Sequence, residues 1–197
     1  MEKLTSFSTT VASLLVDNID TDQIIPARFL KTTEKTGLGQ HLFEDWRYEA
    51  DGSPKPGFVL NQPAAKQARV LLAGSNFGSG SSREHAPWAL MDYGFQAVIA
   101  RSFADIFRNN ALKNGLLPVI LDADVHAQFV EEIEEIPLGQ VTVDLLNQQV
   151  TLPSGRVVSF PIDGFSKTCL LNGKDEMGYL LGFQERILAF ERERAAA

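Results

Sequence analysis

The sequence is short of cysteine, short of positive charge and without a long apolar run, and each shortage removes a class of function. Its one cysteine, Cys169, cannot form an internal disulfide and cannot alone hold a zinc ion or an iron–sulfur cluster. The expected role of Cys169 is that of a small buried hydrophobe. His41, His85 and His126 lie far apart with no metal-ligand spacing, so no metal site is expected in this chain. Lysine and arginine total 18 against 25 aspartates and glutamates, a formal net charge of −7. Binding a nucleic-acid backbone needs concentrated cations that displace counterions, so this balance argues against nucleic acid as a partner. No apolar stretch nears the roughly 20 residues of a bilayer-spanning helix, so no membrane partner is expected. The N-terminal residues also lack the basic-then-apolar pattern of a secretory signal, and a cytoplasmic location is the expectation.

Two common motifs are missing as well. A phosphate-binding P-loop needs Gly-Lys-Ser/Thr after its turn, and no lysine follows Gly80. The hydrolase elbow Gly-x-Ser-x-Gly fails because Gly78 and Gly80 flank Ser79 directly and no glycine follows Ser81 at the required distance.

What is present is a globular composition, 44% hydrophobic and 22% charged, in a length that can bury one well-developed core. Residues 1–197 are expected to form a single α/β domain. Val11 to Val16 reads as a first strand, followed by the acidic loop Asp17 to Asp22. That loop fails as a calcium site, because Ile19 stands where an oxygen ligand is needed and Asp22 where a glycine is needed. A short helix is expected around residues 40–46, and the Gly/Pro-rich stretch 50–63 reads as a surface excursion. From residue 70 the chain alternates: strand 70–73, helix 83–93, strand 95–100, helix 103–113, strand 116–121, helix 124–135. Such alternation predicts βαβ units and a mostly parallel central sheet. Ser102 and Asp124 are the expected N-caps of the second and third helices. A hairpin follows over residues 141–160, and 163–172 and 175–194 read as C-terminal helices.

The densest chemistry lies in Gly74-Ser75-Asn76-Phe77-Gly78-Ser79-Gly80-Ser81-Ser82-Arg83-Glu84-His85. The apolar run Val70 to Ala73 before it makes a buried strand, and Ala86 to Met91 after it makes a helix. Ser81 and Glu84 have capping-box spacing, so Ser81 or Ser82 is expected to cap that helix and aim its free N–H groups into the turn. An anion fits such a turn. Arg83 adds a planar, permanently charged fork suited to a carboxylate.

Gly-Ser-Gly-Ser-Ser-Arg-Glu-His-Ala resembles the signature of the aconitase swivelling domain, and in detail that of the small subunits of bacterial 3-isopropylmalate dehydratases. Three further segments share the likeness: Val16 to Leu30, Arg101 to Asn110 with Gly115 to Pro118, and Cys169 to Gly173. The resemblance spans nearly the whole chain in order. It implies a swivelling β/β/α fold of the aconitase C-terminal type, with a hydro-lyase activity that interconverts 2- and 3-isopropylmalate in leucine biosynthesis. By the same correspondence Ser81 is the catalytic base, and Ser82 and Arg83 contact substrate carboxylates. Arg28, in a segment resembling the substrate-recognition loop that runs on to Thr32, is a further substrate-binding candidate. Phe29 and Leu30 are candidates for the isopropyl pocket. Asp20, Thr21 and Asp22 are expected to shape the loop near the site. Roles for His85, Asp105 and Arg108 stay open, as do citraconate- or homoaconitate-type substrates and a non-catalytic carboxylate-binding module.

A serine is a poor base. Its pKa lies above the roughly 10 of tyrosine, so reaching neutrality takes at least about 3 units, or about 4 kcal/mol. A helix N-terminus contributes only about 0.3–2 kcal/mol. Arg83 in a water-poor site could add the remainder, which predicts that another molecule closes the site. The resemblance supplies one: a large subunit carrying a four-iron, four-sulfur cluster, with a dicarboxylate substrate held between the two chains.

Overall fold

The structure is a computed structural model that describes residues 1–31 and 33–195. It contains two four-stranded sheets rather than one sheet with a hairpin. The first is wholly parallel, in the order β2 (Val11–Leu14), β3 (Val70–Ala73), β4 (Ala97–Ala100), β5 (Leu117–Ile120). The second is antiparallel, in the order β1 (Ser6–Thr9), β6 (Val141–Asp144), β7 (Gln149–Thr151), β8 (Val157–Ser159). The expected hairpin is thus a meander, extended by an N-terminal strand that sequence reasoning missed. Ser6-Phe7-Ser8-Thr9 carries one large apolar residue, too little signal to stand alone, and Phe7 pairs with Val143 only because the fold brings them together.

The parallel strands are buried on both faces, which is why they read as continuous apolar runs. Their side chains alternate between two cores. Leu71, Ala73, Val98 and Ala100 face one core, with Phe77, Leu90, Phe95 and Phe107. Val70, Leu72, Ala97, Ile99, Leu117 and Val119 face the other, against Phe129, Ile133 and the apolar side of the antiparallel sheet. The crossover helices are α3 (His85–Tyr93), α4 (Asp105–Asn114) and α5 (Ala123–Glu135). Two short helices, α1 (Thr21–Ile24) and α2 (Glu44–Arg47), come before them. Three follow the meander: α6 (Gly164–Asn172), α7 (Glu176–Leu181) and α8 (Gln184–Ala195).

Several expected caps are corrected. Helix α3 begins at His85, and its cap position, Glu84, makes no side-chain cap bond, so neither Ser81 nor Ser82 caps it. Ala104, not Ser102, occupies the cap of α4, because the Ser102 hydroxyl instead accepts from the Asn76 N–H at 2.8 Å. Asp122 precedes α5, leaving Asp124 in its first turn. The 175–194 helix is interrupted at Gly182 and Phe183, between α7 and α8. Residues 50–56 do form a surface excursion, but its end is tied down. The Asn61 amide donates to the Arg47 and Lys55 carbonyls at 2.7 and 2.9 Å, and Leu60 is buried.

Candidate active site

The Gly/Ser loop leaves the carboxyl end of β3, the edge at which open parallel α/β sheets bind their ligands. Loops from the same ends of β2 and β4 close around it. From β2 comes the acidic segment: the Gly78 and Ser79 N–H groups donate to the Ile19 carbonyl at 2.7 and 3.1 Å, and the Thr21 N–H donates to the Ser79 carbonyl at 2.8 Å. From β4, the Phe77 N–H donates to the Ser102 carbonyl at 3.0 Å.

Glycine is required at two points of this junction. A Cβ on Gly74 would lie 2.2 Å from Asp17 Oδ1. One on Gly78, whose φ is +77°, would lie 2.1 Å from Phe107 Cγ. The loop therefore sits directly on the aromatic core of Phe77, Phe103 and Phe107.

The helix cap expected in the Gly/Ser loop is found one loop away. Asp20 accepts from the Gln23 N–H at 2.8 Å while the Gln23 side chain accepts from the Asp20 N–H at 2.9 Å, a capping box on α1. Capping places Thr21 so that its hydroxyl donates to the Ser81 carbonyl at 2.9 Å. It also places Asp22 against Arg83, whose two terminal nitrogens each meet one Asp22 oxygen, Nη2 at 2.8 Å from Oδ2. The loop-shaping role expected of residues 20–22 is thus given a geometry. Ser81 and Ser82 stay exposed beside this pair, while the Arg83 side chain is only 14% exposed.

A second ion pair braces the same edge. Asp17 accepts from the Ser75 N–H at 2.6 Å and from Arg101 Nη2 at 2.9 and 3.0 Å. The Ser75 N–H first, then Arg101, hold its carboxyl below the usual carboxylate range. Behind it, His126 Nε2 donates to the Ala73 carbonyl at 2.7 Å, and burial pushes the imidazole pKa down. Sequence reasoning missed Asp17, Asn76, Arg101 and His126 as braces. Only positive backbone angles at Asn18 and Asn76, whose side chains bond at 2.9 Å, mark that junction, and those are conformations a sequence does not display.

Ser81, Ser82 and Arg83 are thus brought together. Arg28 occupies a different cleft of about 400 Å³, with Glu44, Tyr48, Glu49 and Lys55, where it pairs with Asp45 at 2.5 Å. That carboxylate raises the pKa of the Arg28 guanidinium. Phe29 and Leu30 pack against the core, with Phe29 stacked on His41 at 3.8 Å. Thr32 lies outside the described residues. His85 packs on Trp88, at 4.8 Å between ring centres. Asp105 is exposed in the first turn of α4. Arg108 lines a separate cleft with Asp163, Phe165 and Cys169. Cys169 is buried, which pushes its thiol pKa up. Among the described residues no cluster of three or more His, Cys, Asp or Glu could hold a metal ion, and no helix is long and apolar enough to cross a membrane.

Comparison with known proteins places the chain in a family. A family model described as the aconitase C-terminal domain matches residues 1–124, and one described as LeuD_N matches residues 127–164. A 3-isopropylmalate dehydratase small subunit of Chloroflexus aurantiacus is 58% identical over 191 residues, covering 97% of this chain and 95% of the relative. Its counterpart in Anaeromyxobacter dehalogenans is 56% identical over 194 residues, covering 98% and 100%. The crystal structure of 3-isopropylmalate dehydratase (leuD) from Methanocaldococcus jannaschii superposes with a TM-score of 0.64 at 28% identity, covering 95% of this chain and 99% of that one. With the swivelling-domain architecture and the Gly-Ser-Gly-Ser-Ser-Arg loop seated at its parallel-sheet edge, the chain belongs to the family of 3-isopropylmalate dehydratase small subunits.

Proposed function

We propose that this chain acts as one domain and forms the small half of a 3-isopropylmalate dehydratase, interconverting 2- and 3-isopropylmalate by dehydration and rehydration in leucine biosynthesis in the cytoplasm. The observation that carries the reading is the exposed Ser81–Ser82 pair held beside Arg83 by loops from three adjacent strand ends. Ser81 Oγ, as the alkoxide, takes the proton from the carbon next to a substrate carboxylate. The released electron pair forms the C=C bond as the neighbouring C–O bond breaks and the hydroxyl leaves with its bonding pair as hydroxide, which takes a proton from solvent to become water. Rehydration runs the same steps in reverse with the hydroxyl on the other carbon. Ser82 and Arg83 hold carboxylates, and Arg28 meets the variable end of the substrate once the cleft it shares with Asp45 is remodelled.

The base needs help that this chain does not supply alone. Ser81 lies four residues before the first residue of α3, and a helix end acts only over its first turn. Arg83 is engaged by Asp22. With the Asp22 carboxylate half exposed and directly neutralising the guanidinium, such a pair leaves little net field at Ser81. Closure by a second protein would expel water and strengthen every charge interaction in the site. The single buried cysteine does not suit an iron–sulfur cluster, so the proposal assigns the four-iron, four-sulfur cluster to the large subunit, where it supplies the Lewis acid for the leaving hydroxyl.

The test is turnover of 2-isopropylmalate, followed as the unsaturated intermediate, by this chain alone and mixed anaerobically with its large subunit. Activity only in the mixture is expected. Activity of the mixture on methyl- or carboxyethyl-bearing malates, and not on the isopropyl acid, would replace the substrate. Carboxylate binding without turnover in any combination would replace the enzyme with a binding module.

A further inference from the structure

Helices α7 and α8 present an apolar surface that nothing among the described residues covers. Met177, Leu180, Leu181, Ile187, Leu188 and Phe190 are between 42% and 62% exposed, in a protein whose other large apolar side chains are mostly buried. Neither helix has a buried residue among those described. The two helices are joined by a tight turn, with Gly182 in the right-handed helical region, the Phe183 N–H donating to the Leu180 carbonyl at 2.9 Å and the Ile187 N–H to the Phe183 carbonyl at 2.9 Å. On α7, spacings of 3 and 4 residues put Met177, Leu180 and Leu181 within an arc of about 100°, and on α8 the neighbours Ile187 and Leu188 lie about 100° apart. A contiguous stripe of this kind marks an interaction surface rather than scattered exposure.

Other positions of α7 are anchored to the fold. Tyr179 meets Phe165 of α6 edge to face at 5.1 Å, Glu176 lies 3.8 Å from Lys113 of α4, and Asp175 caps the helix through the Gly178 N–H at 2.7 Å. The stripe is therefore held at a fixed place in the fold. Its Met177 end shares a cleft of about 340 Å³ with Lys35, Glu84 and Trp88, and Glu84 is the residue before α3, three positions beyond Ser81.

We propose that the α7–α8 stripe is the docking surface for the large, cluster-bearing subunit. The inference rests on the function proposed above, because the partner that closes over Ser81 must cover the rim on which the stripe begins. A second copy of this chain seated on the stripe would occupy that rim while bringing no cluster, leaving the site blocked. The continuity of stripe and rim favours the large subunit.

The experiment compares wild type, Leu180→Glu/Ile187→Glu and the control Leu146→Glu, an equally exposed apolar residue beside the β6–β7 turn. Each full-length variant is titrated against the cluster-loaded large subunit from the same source, reading the dissociation constant, and its own mass is measured in solution. The melting temperature of each variant alone reports folding. Two buried apolar anchors lost should weaken the heterodimer on the order of a hundredfold, with the melting temperature and the control's affinity unchanged. Unchanged affinity of the double variant would overturn the proposal. So would a wild-type homodimer that the double variant splits while binding the large subunit normally, which would make a second copy the occupant. Turnover keeps the two ideas apart: normal affinity without turnover of any malate-type acid counts against the proposed function, and normal turnover with unchanged double-variant affinity counts against the docking surface.

Discussion

Gly78→Ala tests whether the Gly/Ser loop takes its shape from the core beneath it. At φ +77° an alanine costs about 1–2 kcal/mol of left-handed backbone strain, and forcing a methyl into packed space adds about 1–3 kcal/mol, so the sum is about 2–5 kcal/mol. The methyl would lie 2.1, 2.4 and 2.6 Å from three carbons of Phe107, a ring 1% exposed and fixed against Phe77 at 5.2 Å and Phe103 at 6.2 Å. Neither loop nor ring can yield alone. For a domain of this size each kcal/mol lowers the melting temperature by about 2–4 °C, so the predicted loss is roughly 4–20 °C. Gly80→Ala supplies the internal comparison: its φ is +89°, yet its nearest Cβ neighbour is Asp20 Cβ at 3.4 Å, so it carries only the strain of about 1–2 kcal/mol. Thermal melts of both variants isolate the steric part. A Gly78→Ala protein that melts no lower than Gly80→Ala would refute the idea that Phe107 supports the loop.

Further expectations follow from the site's electrostatics. Arg83→Lys keeps the charge but loses the fork that meets both Asp22 oxygens; kcat/KM in the assembled enzyme should fall about tenfold to a hundredfold. Because Asp22 is half exposed, the same change should alter stability by less than about 1 kcal/mol, measured by denaturant unfolding. His126 has a folded pKa below its ordinary value of about 6.5, so the folded state binds fewer protons than the unfolded one; its contribution is complete above that value and is lost as pH falls below it. Melts of wild type and His126→Gln between pH 5 and 8 should show the variant with the flatter acid limb, and parallel curves would contradict the assignment.

Much of this arrangement was legible in the sequence wherever local chemistry and fold agree. Val70 to Ala73 reads as a buried strand because both its faces lie on cores, and the alternation after it specifies the parallel layer. The Ser-Ser-Arg run identified the loop because few other turns combine glycines, hydroxyls and a guanidinium. The caps were misread because Ser81, Ser102 and Asp124 all have the right side chains for the role, while the fold spends two of those positions on inter-loop contacts: the Ser81 carbonyl accepts from Thr21, and the Ser102 hydroxyl accepts from Asn76. Such contacts join residues 60 and 26 apart, and no local pattern encodes them. Strand β1 was missed for the same reason, since its partner β6 lies more than a hundred residues away. Arg28 shows the converse limit: its charge was visible, but its carboxylate, Asp45, became visible only with α2 in place.

The central claim is that this chain contributes the base, and Ser81→Ala in the assembled enzyme tests it most directly. The Ser81 carbonyl, not its hydroxyl, makes the structural bond to Thr21, so the substitution should leave the loop and the assembly with the large subunit intact. Single-turnover formation of the unsaturated acid from 2-isopropylmalate should fall by about 10²–10⁴, with the dissociation constant for the large subunit unchanged. A rate within a few-fold of wild type would show that the proton goes elsewhere and that this chain only holds the substrate.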